Sequence, residues 1–372
     1  MRRFSKEWDT HDLVARSTVE ELLFDLSVGH AVDLTHYSND VVRKALGTLR
    51  EADFAMMVSL QANLVGIPAE FTVRRLEEAL TEAKGINQLA VDRFSLDLHQ
   101  EMMEFVGVES QFYYKMGKAA VPEWNPIGID SQQAYAGALA RPFQGRLLSE
   151  WARGVEFNRM ARVRDTLRIG FVEGKTVDQM VRSLRGTRAA GYADGILSIE
   201  TRNAEAVVRT AIQHFAAYTR EKFYDANSDM IEGKVWVSTL DTRTTEQCQI
   251  RDGLQYTPDN KPVGHKIPWL AGPGQLHWCC RSCSIPIIKD FEKLGLRQRE
   301  GTRASQGGPV PRGTTYLEWL KAQSAERQDE VLGPVRGEMF RSGKAEMGRF
   351  WNDKGIFLTL DELRSRNSSP VQ

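Results

Sequence analysis

Residues 234–248 read KVWVSTLDTRTTEQC and residues 277–288 read HWCCRSCSIPII. These two stretches are the ends of the segment 234–288, which decides how this chain folds. Apolar and polar side chains alternate over residues 234–239, and residues 284–288 form a second short apolar run, so each end is predicted to be a β-strand. Pro286 suits an edge strand because proline has no N–H to donate to a neighbouring strand. The loop-rich residues between the two strands need a cross-link to hold them in place.

The cysteines of the chain all lie within this segment: Cys248, Cys279, Cys280 and Cys283. Their clustering favours a local site under reducing conditions over disulfides spread along the chain. If the two strands pair, a tetrahedral zinc ion could be held by Cys248, His277 and Cys280, with Cys283 or His265 as the fourth ligand. The predicted ligand set is Cys248, His277, Cys280 and Cys283, with one structural zinc as cofactor. Reduced core thiols, or a disulfide from Cys248 to Cys280 or Cys283, remain open.

The other prominent positions of the segment are interpreted as structural: Trp236, Asp241, Arg243, Thr244, Asp252, Gly253 and Arg281. Asp241 follows the first strand and can accept backbone N–H bonds in the next turn. Arg243 can pair with a carboxylate such as Asp252. A catalytic Asp241 would need a nucleophile or a second carboxylate at useful spacing, and a nucleophilic Cys280 would need an oriented histidine. The sequence supplies neither pattern, so an enzyme is not predicted.

The composition limits the remaining function classes. The chain has 372 residues with 49 basic and 49 acidic side chains, so wholesale electrostatic binding of nucleic acid is not expected. Hydrophobic residues make up 41%, enough for a core, and the length suggests two or three domains. Because apolar runs of membrane-spanning length and a secretory leader are both missing from the sequence, no membrane partner is expected.

Outside the Cys/His module the pattern is mainly helical, so the predicted fold class is mainly α with a small β-containing module (α+β). Four regions follow: a helical N-terminal region (1–140), a helical lead-in (141–233), the Cys/His module (234–300), and a linker with a helical C-terminal tail (301–372). Capping boxes at Ser17, Thr176 and Thr359 predict helix starts. The linker is placed at residues 306–311, where glycine and proline alternate with other residues.

One stripe predicts a long helix in the N-terminal region. Leu98, Met102, Phe105, Glu109 and Phe112 recur at helical spacing and would share one face. That face could be an intramolecular core or a seam for a partner.

Basic residues are frequent between Arg141 and Arg188. Among them Arg159, Arg162 and Arg164 are candidates for contact with DNA phosphates. The alternative is a solvated helix face whose long basic side chains cover apolar surface.

The module resembles the minor head, or head morphogenesis, proteins of tailed bacteriophages, a family often called phage Mu F-like. The matching positions are Trp236, Asp241, Arg243, Thr244, Cys248, Asp252, Gly253, His277, Cys280 and Arg281. Residues 147–224 resemble the helical lead-in of that family, and residues 315–321 and 358–363 resemble its C-terminal extensions. This chain departs from the family pattern at Cys279, where asparagine is common, and at Cys283, which Ser282 displaces.

The resemblance implies a protein of the capsid interior, found in the virion and, during assembly, in the host cytoplasm. It would act in head assembly at the portal vertex and in genome packaging or delivery. Its implied partners are the portal protein, the major capsid or scaffold protein, and packaged phage DNA. Two readings from other classes stay open: a metal-dependent nuclease or effector domain, and a zinc-stabilised DNA-binding module.

Overall fold

The computed structural model describes residues 19–64, 73–289, 301–343, 350–352 and 354–363. The capping box predicted at Ser17 lies outside these residues. Within them the chain is mainly helical with a small antiparallel sheet, which confirms the predicted α+β class. Among the described helices, none combines the length and the apolar character needed to cross a bilayer.

The helices before the module are, in chain order, α1 (Val19–Leu64), α2 (Val73–Ala120), α3 (Ser131–Leu139), α4 (Leu148–Val172), α5 (Val177–Arg185) and α6 (Ile196–Ala226). Helix α5 begins where its capping box predicts, because Thr176 and Gln179 each bind the backbone N–H of the other. In α2 the predicted stripe is core: Leu98, Met102 and Phe105 are at most 2% exposed.

The module and the tail hold the strands β1 (Ile231–Val237), β2 (Gln255–Tyr256), β3 (Pro262–Val263), β4 (Cys283–Ile288), β5 (Thr302–Ser305) and β6 (Gly308–Pro311). Their helices are α7 (Glu246–Gln249), α8 (Tyr316–Lys321), α9 (Ala325–Leu332) and α10 (Pro334–Arg341). Thr359 also accepts the N–H of Glu362, as its predicted capping box requires.

The described chain divides into two compact units, each assembled from separate segments. The first comprises the described residues of Met1–Thr35, Val108–Ala134 and Ala216–Gln372, and the second comprises those of His36–Gly107 and Tyr135–Phe215. The core of the second unit contains Met56, Leu60, Val163, Leu167 and Leu197.

In the first unit the strand order is β3–β2–β1–β4, with all neighbours antiparallel. Strands β1 and β4 pair from Ile231 opposite Ile288 to Val237 opposite Cys283. Strand β4 is therefore at an end of the sheet, which confirms the edge position predicted from Pro286. This pairing brings the two ends of the loop-rich segment together.

The two faces of β1 contact different cores, because successive side chains of a strand point to opposite faces. Val237 packs with Ile285 of β4 and with Phe223 of α6 in one hydrophobic cluster. Trp236 packs on the other face with Tyr256, Trp269, Cys248 and Cys280. The alternation of β1 thus decides that the Trp236 face is the one that contacts Cys248 and Cys280.

The segment predicted as a flexible linker is ordered, and that prediction is wrong. Residues 302–311 form a β-hairpin in which Thr302 lies opposite Pro311 and Ser305 opposite Gly308. Gly307 in the turn and Gly308 at the start of β6 adopt φ of 132° and 120°, which side chains rarely allow, so glycine at both positions permits a tight turn rather than a hinge.

The Asp252 carboxylate joins the module to this hairpin and to α8. It accepts the Ser238 N–H at 2.7 Å, the Tyr316 N–H at 2.7 Å and two nitrogens of Arg303 at 2.7 and 2.9 Å. The side chains of Asp252 and Arg303 are 0% and 5% exposed. A buried charge pair is tolerated when hydrogen bonds satisfy both partners, as they do here.

We expect Asp252→Asn to lower the free energy of unfolding by about 3–5 kcal/mol, because it leaves the Arg303 charge buried without a partner. Urea unfolding followed by circular dichroism measures the loss. Asp259→Asn, on an exposed turn of the same module, is the matched control and should leave the midpoint unchanged. Equal midpoints for Asp252→Asn and the unchanged chain would contradict the role given to this carboxylate.

Candidate metal centre

Cys248, His277 and Cys280 meet on the Trp236 face of the sheet. Helix α7 carries Cys248, and the loop before β4 carries the other two. Cys248 Sγ lies 3.2 Å from His277 Nε2 and 3.7 Å from Cys280 Sγ, and the three donor atoms are all within 4.8 Å of one another. The structure therefore contains a Cys–His–Cys group at metal-binding distance.

The pKa values of the three side chains are shifted in different directions. The hydrogen bond from Cys248 and the neighbouring imidazole hold the pKa of the Cys280 thiol well below its usual value. The same hydrogen bond, together with burial, raises the pKa of Cys248. Burial acts to lower the pKa of His277, but its hydrogen bond and charge interaction with Cys280 raise it overall. Of the two thiols, Cys280 therefore loses its proton more readily, and metals bind the thiolate form.

Backbone groups contact the Cys280 sulfur and orient the imidazole of His277. The Gly274 N–H donates to Cys280 Sγ at 3.3 Å. His277 Nδ1 lies 2.9 Å from the Trp278 carbonyl oxygen, and this contact turns Nε2 toward the sulfurs. A second interaction of this kind orients most histidine ligands of metals.

The loop that carries His277 turns tightly around Trp269. Gly272 has φ of +86°, and a Cβ there would lie 2.6 Å from Trp269 Nε1. Trp269 in turn packs edge-on against Trp236, with ring centroids 5.3 Å apart. Glycine at this position thus permits the close turn that returns the chain to the sheet.

Cys283 lies away from the three donors, so its place in the predicted ligand set does not fit the structure. It is the first residue of β4, opposite Val237, and packs against the cluster on the other face of the sheet. Burial there raises the pKa of its thiol. Strand alternation explains the difference, because a sequence spacing does not reveal which face a side chain takes.

His265, the other predicted fourth ligand, is also engaged elsewhere. Its Nε2 lies 2.8 Å from the Gln255 carbonyl oxygen, and its Nδ1 accepts the Ile267 N–H. All four cysteines are free thiols. Among the His, Cys, Asp and Glu side chains of the described residues, the group that could hold a metal ion consists of Cys248, His277 and Cys280.

Asp241 has the structural partners expected of it, and one more. It accepts the Arg243 N–H at 3.1 Å and the Thr244 hydroxyl at 3.0 Å, as in a capped turn. Arg281 donates to both its oxygens at 2.6 and 2.9 Å, which links the start of the loop segment to its end. A bidentate guanidinium–carboxylate pair fixes geometry as well as charge.

The predicted pairing of Arg243 with Asp252 is wrong. The Arg243 side chain is 79% exposed and its guanidinium lies 3.7 Å from the Asp241 carboxylate. The ion pair with Asp252 is made by Arg303 instead. Gly253 adopts φ of +80° and donates its N–H to the Trp236 carbonyl oxygen at 2.9 Å, so its role is in the turn after Asp252.

The three candidate DNA-contacting arginines of α4 have different surroundings. Arg159 is fully buried and donates to Asn87 at 2.9 Å and to Asp53, which excludes it from a phosphate surface. Arg162 pairs with Glu200 at 2.6 Å. Arg164 pairs with its neighbour Asp165 at 2.9 Å and is 43% exposed. A shared basic surface therefore does not include Arg159.

Three residues of the site were missed from the sequence: Ser238, Thr245 and Arg303. Ser238 donates from its hydroxyl to the Cys248 carbonyl oxygen at 2.8 Å. Thr245 precedes Cys248 by one helical turn, a spacing that could have revealed it. Arg303 lies far from Asp252 in sequence and within a segment read as preceding a linker, so local pattern gave no signal for it.

No family model, no curated protein and no solved structure matches this chain.

Asp241 should give the module a pH-dependent stability. Burial alone would raise its pKa, but the hydrogen bonds and charge of Arg281 bring it below the ordinary value of 3.8. A carboxyl group whose pKa is lower in the folded chain stabilises the fold above its unfolded pKa and loses that effect as pH falls through the folded value. We expect Asp241→Asn to cost about 1.5–3 kcal/mol at neutral pH.

Urea unfolding of both chains between about pH 7 and pH 2.5 checks this, since the difference should shrink as the pH drops below about 4 and through the folded pKa. Arg281→Gln in the Asp241→Asn background is the control, and it should add little once the pair is broken. A difference that stays constant across the pH range would contradict a stabilising role for the ionised carboxylate.

Proposed function

We propose that this chain is a minor capsid, or head morphogenesis, protein of a tailed bacteriophage, acting in head assembly at the portal vertex. The observation that carries the proposal is where the residues that resemble that family lie in the structure. They converge in one hydrogen-bonded module, where Trp236, Asp241 and Asp252 bind other parts of the chain. Structural partners at these positions support an assembly protein over an enzyme.

Within this proposal the Cys–His–Cys group holds one structural zinc ion. Two thiolates about 2.3 Å from a tetrahedral zinc ion stand about 3.8 Å apart, and the two sulfurs here are 3.7 Å apart. When bound, the ion would tie α7 to the loop before β4, and its binding energy would add to the folding energy of the module. The zero exposure of Cys280 also fits a ligand better than a nucleophile.

A partner surface is supported by apolar side chains on α2. Leu89, Leu96 and Met103 are 74%, 69% and 50% exposed and recur every seven residues, so they lie along one side of the helix. Large apolar side chains repeated on one exposed face mark contact surfaces more often than isolated ones do. We propose that the portal protein binds here, with major capsid or scaffold protein and packaged DNA as further partners in the virion.

We expect the portal protein encoded in the same phage genome to retain this chain when the two are co-expressed and the portal is captured. Replacing Leu89, Leu96 and Met103 by glutamate should reduce the retained amount at least tenfold, because charged side chains cannot be buried in an apolar contact. Val335→Glu, at an exposed position on α10, is the matched control and should leave retention unchanged. Absence of retention for the unchanged chain would remove the portal from the proposal.

A second candidate is a metal-dependent nuclease. It is favoured by the donor count, because three protein ligands and one open position are typical of catalytic zinc sites. Metal-dependent cleavage of DNA by the purified chain, abolished by His277→Ala, would favour this candidate over the assembly role.

A further inference from the structure

Thr245 holds an unusual position beside the three metal-binding side chains. It is the N-cap residue of α7, with extended backbone angles, yet within the described chain its hydroxyl accepts no hydrogen bond from the first N–H groups of that helix. Threonine at an N-cap normally makes such a bond. The Thr245 hydroxyl instead lies 2.8 Å from His277 Nε2, the nitrogen that faces the two sulfurs.

The spacing of α7 explains this orientation. Thr245 and Cys248 are three residues apart, so their side chains lie on the same side of the helical turn. The Thr245 hydroxyl consequently contacts the imidazole from the side of α7 that also carries the Cys248 thiol.

A tetrahedral ion bound by Cys248, His277 and Cys280 has one remaining ligand position. Cys283 and His265 are directed elsewhere, as described above. An oxygen and a nitrogen bound to the same tetrahedral zinc ion stand about 3.3 Å apart, so the observed 2.8 Å needs a shift of only a few tenths of an ångström.

We propose that the Thr245 hydroxyl takes this fourth position and completes a donor set of two sulfurs, one nitrogen and one oxygen. The inference rests on the proposal that the three side chains hold a metal. It assigns a role to Thr245, which is not one of the positions that match the family, although its neighbours Thr244 and Cys248 are.

The test measures metal binding by the full chain. Zinc affinity is determined by competition with a chromophoric chelator, and cobalt(II) is then bound in place of zinc for its visible spectrum. We expect Thr245→Val, which keeps the shape but removes the hydroxyl, to weaken zinc binding by about 10- to 100-fold and to alter the cobalt ligand-field bands. Thr245→Ser should retain both affinity and spectrum.

Thr245→Cys provides a gain that a merely structural role could not produce. A third sulfur at the fourth position should strengthen the sulfur-to-cobalt charge-transfer absorption and tighten zinc binding. Thr242→Val is the matched control, since the same substitution three residues earlier should change neither quantity. Far-UV circular dichroism of each variant shows whether it is folded.

Two results would overturn the inference. One is a folded Thr245→Val chain with the zinc affinity and cobalt spectrum of the unchanged chain, and the other is a Thr245→Cys chain without added charge-transfer absorption. If the unchanged chain bound neither metal, the metal centre and the role of Thr245 would fall together. Retention by the portal protein is measured separately and would stand or fall by itself.

Discussion

The Asp252 carboxylate has four hydrogen-bond donors, and they come from three separate parts of the chain: the end of β1, the strand β5 and the start of α8. Its burial is possible only because Arg303 brings an opposite charge into the same apolar surroundings. The position of this one group therefore fixes where the C-terminal hairpin and α8 pack. It also fixes the turn after α7, and with it the helix that presents Cys248. The module is consequently part of the first compact unit, together with the C-terminal hairpin and α8.

The candidate metal centre follows from the same arrangement. Pairing of β1 with β4 brings the ends of a long loop segment together, and the Asp241–Arg281 pair holds them in register beside the sheet. The three donors then lie on the face that Trp236 and Trp269 cover, where both sulfurs are buried and a thiolate needs compensation. The Gly274 N–H and the imidazole supply part of that compensation. A cation at the centre of the group would supply the rest, which is the physical reason to propose zinc there.

Much of this could be predicted from the sequence, because the signals were local. The alternation of apolar and polar side chains and the short apolar run predicted the strands β1 and β4. Pro286 predicted that β4 lies at the edge of the sheet, and Thr176 predicted the start of α5. The errors arose where the outcome depends on distant partners. Cys283 follows Cys280 closely enough to suggest a shared ligand set, but β4 turns its side chain to the opposite face. The glycines and prolines of residues 306–311 suggested a linker, yet β5 supplies the pairing strand. Arg159 was predicted to contact DNA, but it is buried because it binds Asp53 and Asn87, which lie on other helices.

The central claim is that Cys248, His277 and Cys280 bind one zinc ion that stabilises the module. X-ray absorption at the zinc edge, on chain purified under reducing conditions without added metal, tests it most directly. The claim predicts about one zinc per chain, with two sulfur neighbours at about 2.3 Å and lighter neighbours, including an imidazole nitrogen, at about 2.0 Å. A folded chain without zinc, or a zinc shell without sulfur, would contradict it.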